Sequence, residues 1–402
     1  MVPEVEAVHA VFAAPAEVVA ERRSLYRLAA ELLGVPGEVP DDVLDSPLVR
    51  YRLGGALAGH FDLAGVDLAG DRDAVGEVVD VGLPLVADPA ARQALATLFG
   101  IVGPVPGLRL ITKADEVFGE VVEIVAEGVL LARKAGGALA EDLLTHVDLV
   151  AVVDPATAGG LVSASSRYFP GVVVIERPTT AVQVAEALIH EGAHDKFFDL
   201  AITREFLDSR SDMAEEFRPS WSRARWPMEQ VFAAWHAYQC LAQFARADLP
   251  TGPGSLLPFA AERAAEIGKW LRDHEEYLLA DARTMLDAVL GTGASSPCGI
   301  ISAEPTTASG HFVKNPHVRL GGVNPTGRRV VGRDGSPPAL FWLSNDSTSV
   351  LDFFVGHADG KSAEDGFAAV QALWNVDADE ARKRWTSAFD ALCSKWIVLP
   401  AS

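Results

Sequence analysis

The chain has 402 residues, 49% of them hydrophobic, enough length and apolar content for two or three domains with their own cores. A formal net charge of −21 argues against a nucleic-acid backbone or an anionic membrane surface as partner, and reports mainly on solubility. Cys240, Cys298 and Cys393 form neither a disulfide framework nor a zinc-ligand pattern, the first residues lack a signal-peptide pattern, and no apolar run approaches a membrane span, so a cytoplasmic location is expected.

Residues 1–145 read as a mostly helical scaffold. Apolar residues recur at helical spacing over 16–33, 88–98 and 115–134, with stops at Gly34-Val35-Pro36 and Gly136-Gly137. The period then changes. Residues 147–153 and 172–175 are β-branched runs bounded by Asp, Pro and Gly, which predicts strands. Between them, 163–171 predicts an edge strand and a turn.

Pro178 and Thr179 then open a helix carrying His190-Glu191-Gly192-Ala193-His194. The two histidines stand one turn apart on one face, so both imidazoles can reach one metal ion. Glu191 sits beside such an ion and can move protons on a bound water or substrate. Two histidines alone hold a metal poorly, so a third ligand is expected from a second helix, 228–245, which begins after Pro227. There Glu229 and His236 share a face. His236 is the preferred ligand, because Glu229 lies in the first turn, where it can act as a cap.

Residues 259–290 read as one or two amphipathic helices. A Gly/Ser/Pro-rich stretch begins at Gly291, and the chain divides into a catalytic domain over 1–295, a linker over 296–314 and a C-terminal domain over 315–402. That domain shows strand-like residues over 313–333, with turns at Gly321-Gly322 and near Asn324-Pro325. A strand at 339–343 and three helices follow, a winged-helix pattern of plausible size. The expected class is α+β: a mostly helical catalytic domain with a small sheet beside a zincin-like helix, then a winged helix.

Two resemblances sharpen this reading. His190-Glu191-x-x-His194-x-Lys196, Pro219-x-Trp221, Arg225, Pro227 and the helix bearing His236 resemble the HExxH-type peptide β-hydroxylases of ribosomal peptide natural-product pathways, over roughly residues 145–250. That resemblance implies iron(II) and 2-oxoglutarate as cofactors and β-carbon hydroxylation of a ribosomally made precursor peptide. One departure stands out: Trp226 separates Arg225 from Pro227, where the family usually has Arg-Pro directly. The distal carboxylate of 2-oxoglutarate needs a cation, with Arg225 first in line, Arg223 second and Lys196 another candidate. The C-terminal domain is similar to PqqD-like recognition elements through Phe341-Trp342-Leu343-Ser344-Asn345, residues 350–360, Val376-Asp377 and Ile397-Val398-Leu399. This implies that a leader peptide adds as a strand, with Phe341 and Trp342 at the peptide. The alternative is a zinc metallopeptidase that trims a precursor, with Glu191 as general base. Neither reading involves nucleic acid or a membrane.

Overall fold

The computed structural model describes residues 14–60, 67–103, 107–204, 206–208, 210–211, 214–290, 311–323, 328–334, 339–357 and 360–401. They form a mixed α+β protein with small sheets, in two compact units. The first is drawn from within Met1–Arg22, Pro40–Arg52 and Gly65–Ser295, the second from within Arg23–Val39, Leu53–Ala64 and Ser296–Ser402.

The helices used below are α1 (Pro15–Leu32), α2 (Phe118–Gly136), α3 (Ala138–Leu144), α4 (Ala181–Ala201), α5 (Met228–Phe244), α6 (Ala260–Asp273), α7 (Ala280–Leu290), α8 (Asn345–Val355), α9 (Ala363–Trp374) and α10 (Ala378–Ser394). The sheet of the first unit contains β1 (Val78–Asp80), β2 (Pro84–Val86), β3 (Leu149–Val153), β4 (Ser163–Ala164) and β5 (Val172–Glu176), in the order β1-β2-β3-β5-β4. β3 runs parallel to β2 and β5, whereas β4 is an antiparallel edge strand with Ser163 opposite Ile175. β3 is buried along its whole length, consistent with its unbroken apolar run. Sequence periodicity missed β1 and β2, which fall within the stretch expected to be helical. Each has three residues, too few for an alternation to register. The helix expected over 88–98 is instead two short pieces, Ala91–Ala94 and Ala96–Val102.

α4 is the central element, packed against α2, α3, α5 and β5. It starts in a capping box: the Thr180 hydroxyl accepts from the Gln183 N–H at 3.3 Å, and the Gln183 side chain accepts from the Thr180 N–H at 3.2 Å. Gly128 of α2 permits the close helix crossing, since a Cβ there would lie 2.3 Å from that of Val184.

In the second unit, β6 (His311–Lys314) lies between β10 (Lys361–Ser362) and β11 (Val398–Pro400), antiparallel to both. β7 (Val318–Val323), β8 (Arg329–Arg333) and β9 (Ala339–Leu343) form an antiparallel sheet of their own, with β9 at one edge. α8 is held by a Ser344 cap and packs with α9 and α10 around Phe354, Trp385 and Phe389. Two expectations change here. β6 lies within the residues assigned to a linker, whose remainder, 296–310, falls outside the described residues. Gly321-Gly322 is no turn either: β7 runs through both glycines, with its register shifting between Leu320 and Val323.

Candidate functional site: an open histidine stripe on a buried helix

From Val184 to Leu200, every residue of α4 is buried except His190, His194 and Phe198. These three are spaced by four, so the helix opens along a single stripe. The two imidazoles meet edge to face, with ring centroids 4.8 Å apart, and Phe198 stacks on His194 at 6.1 Å. Burial, reinforced by His190 and opposed by Glu191, lowers the pKa of His194 to about 4. A neutral imidazole is the form that ligates a metal. The Nδ1 atom of His190 is buried and has no hydrogen-bond partner among the described residues.

Glu191 turns toward the edge of the sheet. Its two carboxyl oxygens accept hydrogen bonds from Ser163 Oγ at 2.6 Å and Ser165 Oγ at 2.7 Å. The edge strand therefore fixes the glutamate beside the histidine stripe. Sequence reasoning singled out neither serine, although the edge strand that carries Ser163 was expected. Exposed Val162 and Tyr168 flank the same segment.

The opposite wall comes from α5 and α6. The Tyr238 ring packs on His190 with centroids 5.7 Å apart, and its hydroxyl accepts from an Arg263 guanidinium N–H at 3.0 Å. Arg263 also lies over three rings: Trp221 at 5.0 Å, Phe259 at 5.4 Å and Tyr238 at 5.5 Å. Glu186, one turn before His190, secures the approach to α6. It accepts from Ser255 Oγ at 2.6 Å and from the Leu256 N–H, just before Phe259 and Arg263. Tyr238, Arg263 and Glu186 are all additions to the site read from sequence.

Several expected site residues stand elsewhere. His236 is buried in the core, and its Nδ1 lies 2.9 Å from the Ala193 carbonyl. That oxygen can only accept, so Nδ1 carries the proton. Nε2 lies 3.9 Å from Cys240 Sγ, and burial raises that thiol to about 12, which keeps its proton in place. The histidine expected as third ligand is thus occupied within the core. Glu229 is exposed and ion-paired with Arg167 at the start of α5. Lys196 is buried in an ion pair with Asp142 of α3, and burial depresses its pKa against the pull of that carboxylate. Arg225 lies in a loop closed by paired Phe217 and Trp226; it is 60% exposed, with Glu216 at 3.9 Å. Arg223 is exposed in the same loop. Helical spacing placed the residues of α5 on faces correctly but could not say which face the packing would turn toward α4.

The rest of α4 carries charges that are deeply buried. Asp199 bonds His146 Nδ1 at 2.7 Å and Arg22 at 2.7 Å, and Arg22 reaches Asp45 at 3.1 Å. Asp195 accepts from the Gly171 N–H at 3.0 Å. Arg50 pairs with Asp148 alongside.

In the second unit, Phe341 and Trp342 occupy β9. Phe341 is half-buried beneath Arg333 and Lys395, each 5.6 Å from its ring centre. Trp342 is buried, with Arg328 5.7 Å from its ring centre and its indole N–H without a partner among the described residues.

No protein-family model matches this chain, and no curated protein matches it. Among the described residues, no helix is long and apolar enough to cross a membrane, and no third His, Cys, Asp or Glu closes a metal-ligand group with His190 and His194. The two imidazoles, one held neutral and the other with a nitrogen that has no partner among the described residues, supply two of the three or more donors a metal site needs.

Proposed function

We propose that this protein is a metal-dependent oxygenase that hydroxylates the β-carbon of a residue in a ribosomally made precursor peptide, with 2-oxoglutarate as co-substrate. The observation that carries the reading is the open His190–His194 stripe on an otherwise buried helix, beside a glutamate clamped to a sheet edge. His190 and His194 would hold iron(II), which supplies the activation of oxygen that a C–H bond requires. The reaction balances as peptide C–H, O2 and 2-oxoglutarate giving peptide C–OH, succinate and CO2. β4 offers an edge to an extended peptide, with Val162 and Tyr168 exposed beside it. Glu191 orients groups at this edge through Ser163 and Ser165.

The second unit is read as the leader-binding module, a PqqD-like winged helix. The edge position of β9, with Phe341 and its two cations, supports this role. A leader strand pairing there would raise the local concentration of the core peptide at the histidines.

The alternative, a zinc peptidase, gains from the same peptide-binding edge. Each oxygen of Glu191 accepts one serine hydroxyl and keeps a second lone pair, so the serines tie the carboxylate to the edge strand in either reading and experiment separates the two. The test compares protein loaded with iron(II) or zinc. Oxygen-dependent conversion of 2-oxoglutarate to succinate with iron supports the proposal; peptide cleavage with zinc and no 2-oxoglutarate consumption overturns it.

A further inference from the structure

We propose that Arg263, with the Tyr238 hydroxyl, forms a carboxylate-binding subsite one ring away from the histidine stripe. On the oxygenase reading, from which this step follows, its ligand is the distal carboxylate of 2-oxoglutarate. The chain carries 55 acidic against 34 basic residues, and two other arginines near the site have carboxylate partners, Arg167 with Glu229 and Arg225 with Glu216, while Arg223 is exposed in the Arg225 loop. Arg263 makes no ion pair among the described residues. Its protein contacts are the Tyr238 hydroxyl at 3.0 Å and the rings of Trp221, Tyr238 and Phe259. Of a guanidinium's five N–H donors, this arrangement engages one in a hydrogen bond. The rings flank the planar fork of this partly buried side chain, so a two-point carboxylate contact would be stronger there than in open solvent. Half-exposed Phe259 marks the subsite's outer side, and the Tyr238 ring on His190 marks its inner side. A ligand with one end at the histidines and a carboxylate at its other end would lie along Tyr238. Glu186 fixes this geometry by tying the segment before α6 to the helix that bears both histidines.

A carboxylate here could belong to the co-substrate or to the peptide, and the experiment separates them. Binding of 2-oxoglutarate and of 2-oxopentanoate, which lacks the distal carboxylate, is measured by calorimetry on the full chain without turnover. The proteins are wild type, Arg263→Gln, Arg263→Lys and, as the competing cation, Arg225→Ala. Arg263→Gln should weaken 2-oxoglutarate roughly 30- to 100-fold and leave 2-oxopentanoate within about twofold. Arg263→Lys should restore part of the loss, since it keeps the charge without the fork, and it guards against misfolding of the glutamine variant. Arg225→Ala should change neither ligand. A loss confined to peptide affinity supports the subsite and assigns it to a peptide carboxylate. Arg263-dependent binding of 2-oxoglutarate without any hydroxylation keeps the subsite and removes the oxygenase reading. Hydroxylation in wild type with unchanged affinities in both Arg263 variants overturns the subsite and keeps the reading. Indifference of every ligand to Arg263 in a protein that hydroxylates nothing overturns both.

Discussion

One helix, α4, carries two kinds of polar residue. Along its open stripe, His190 and His194 meet edge to face, and among the described residues the buried Nδ1 of His190 has no hydrogen-bond partner. On its buried sides, Lys196 has Asp142, and Asp199 has both Arg22 and His146. Buried charges persist in folded proteins when partners satisfy them, so the paired set reads as architecture. The partly exposed imidazoles of the stripe, by contrast, are available to something outside the chain. The difference lies in the partners and cannot be read from residue type.

The comparison breaks most sharply at Asp199. Asp199→Ala leaves Arg22 and His146 buried without their shared carboxylate and should cost about 3–5 kcal/mol of unfolding free energy, read by urea titration. His194→Ala removes a partly buried imidazole that no buried charge depends on and should cost about 1 kcal/mol. Comparable losses would erase the distinction between the two sets.

Acid should act on the same group. Burial pushes the Asp199 carboxyl up, but Arg22, His146 and Arg50 together outweigh it and bring the pKa down to about 2. An unfolded aspartate titrates near 3.9. The unfolded chain therefore binds this proton first as pH falls, so the stabilisation is full above about pH 4 and disappears as pH drops through about 2. Roughly 2–3 kcal/mol should be lost across that window, and Asp199→Asn should flatten this part of the stability profile. An unchanged acid limb in the asparagine variant would contradict the assignment.

A smaller effect sharpens the role of the sheet edge. Replacing Ser163 and Ser165 together with alanine frees both oxygens of Glu191 and should lower turnover roughly 10- to 100-fold, with metal content unchanged. Loss of metal in this variant would mean that the serines act through the histidines. Smallest of all, Arg225→Ala should alter stability by no more than about 0.5 kcal/mol, because that side chain is exposed with a distant partner.

The part of the site that sequence revealed is the part that lies within one helix. His-Glu-x-x-His sets its own geometry through helical spacing, and Thr180 with Gln183 marks where the helix begins. The strands before it were visible as β-branched runs, and so was the likelihood of an edge near residue 163. The setting of His236 in the core was not legible, because spacing fixes which residues of α5 share a face, while the packing of α5 on α4 decides where that face looks. Arg263 stayed hidden for a related reason. An arginine's sequence neighbours do not disclose whether a distant carboxylate will claim it, and here rings from three separate segments surround it instead. In the second unit, the strand at 339–343 and the three helices were legible, whereas the strand at His311–Lys314 was not, because its pairing partners lie at Lys361–Ser362 and Val398–Pro400.

The most direct test of the central claim is the metal content of the full chain purified without added metal, as wild type, His190→Ala, His194→Ala and His236→Asn. The asparagine keeps a donor for the Ala193 carbonyl. The account predicts bound metal in wild type and in His236→Asn, and its loss in both alanine variants. Full metal occupancy in either alanine variant would contradict it.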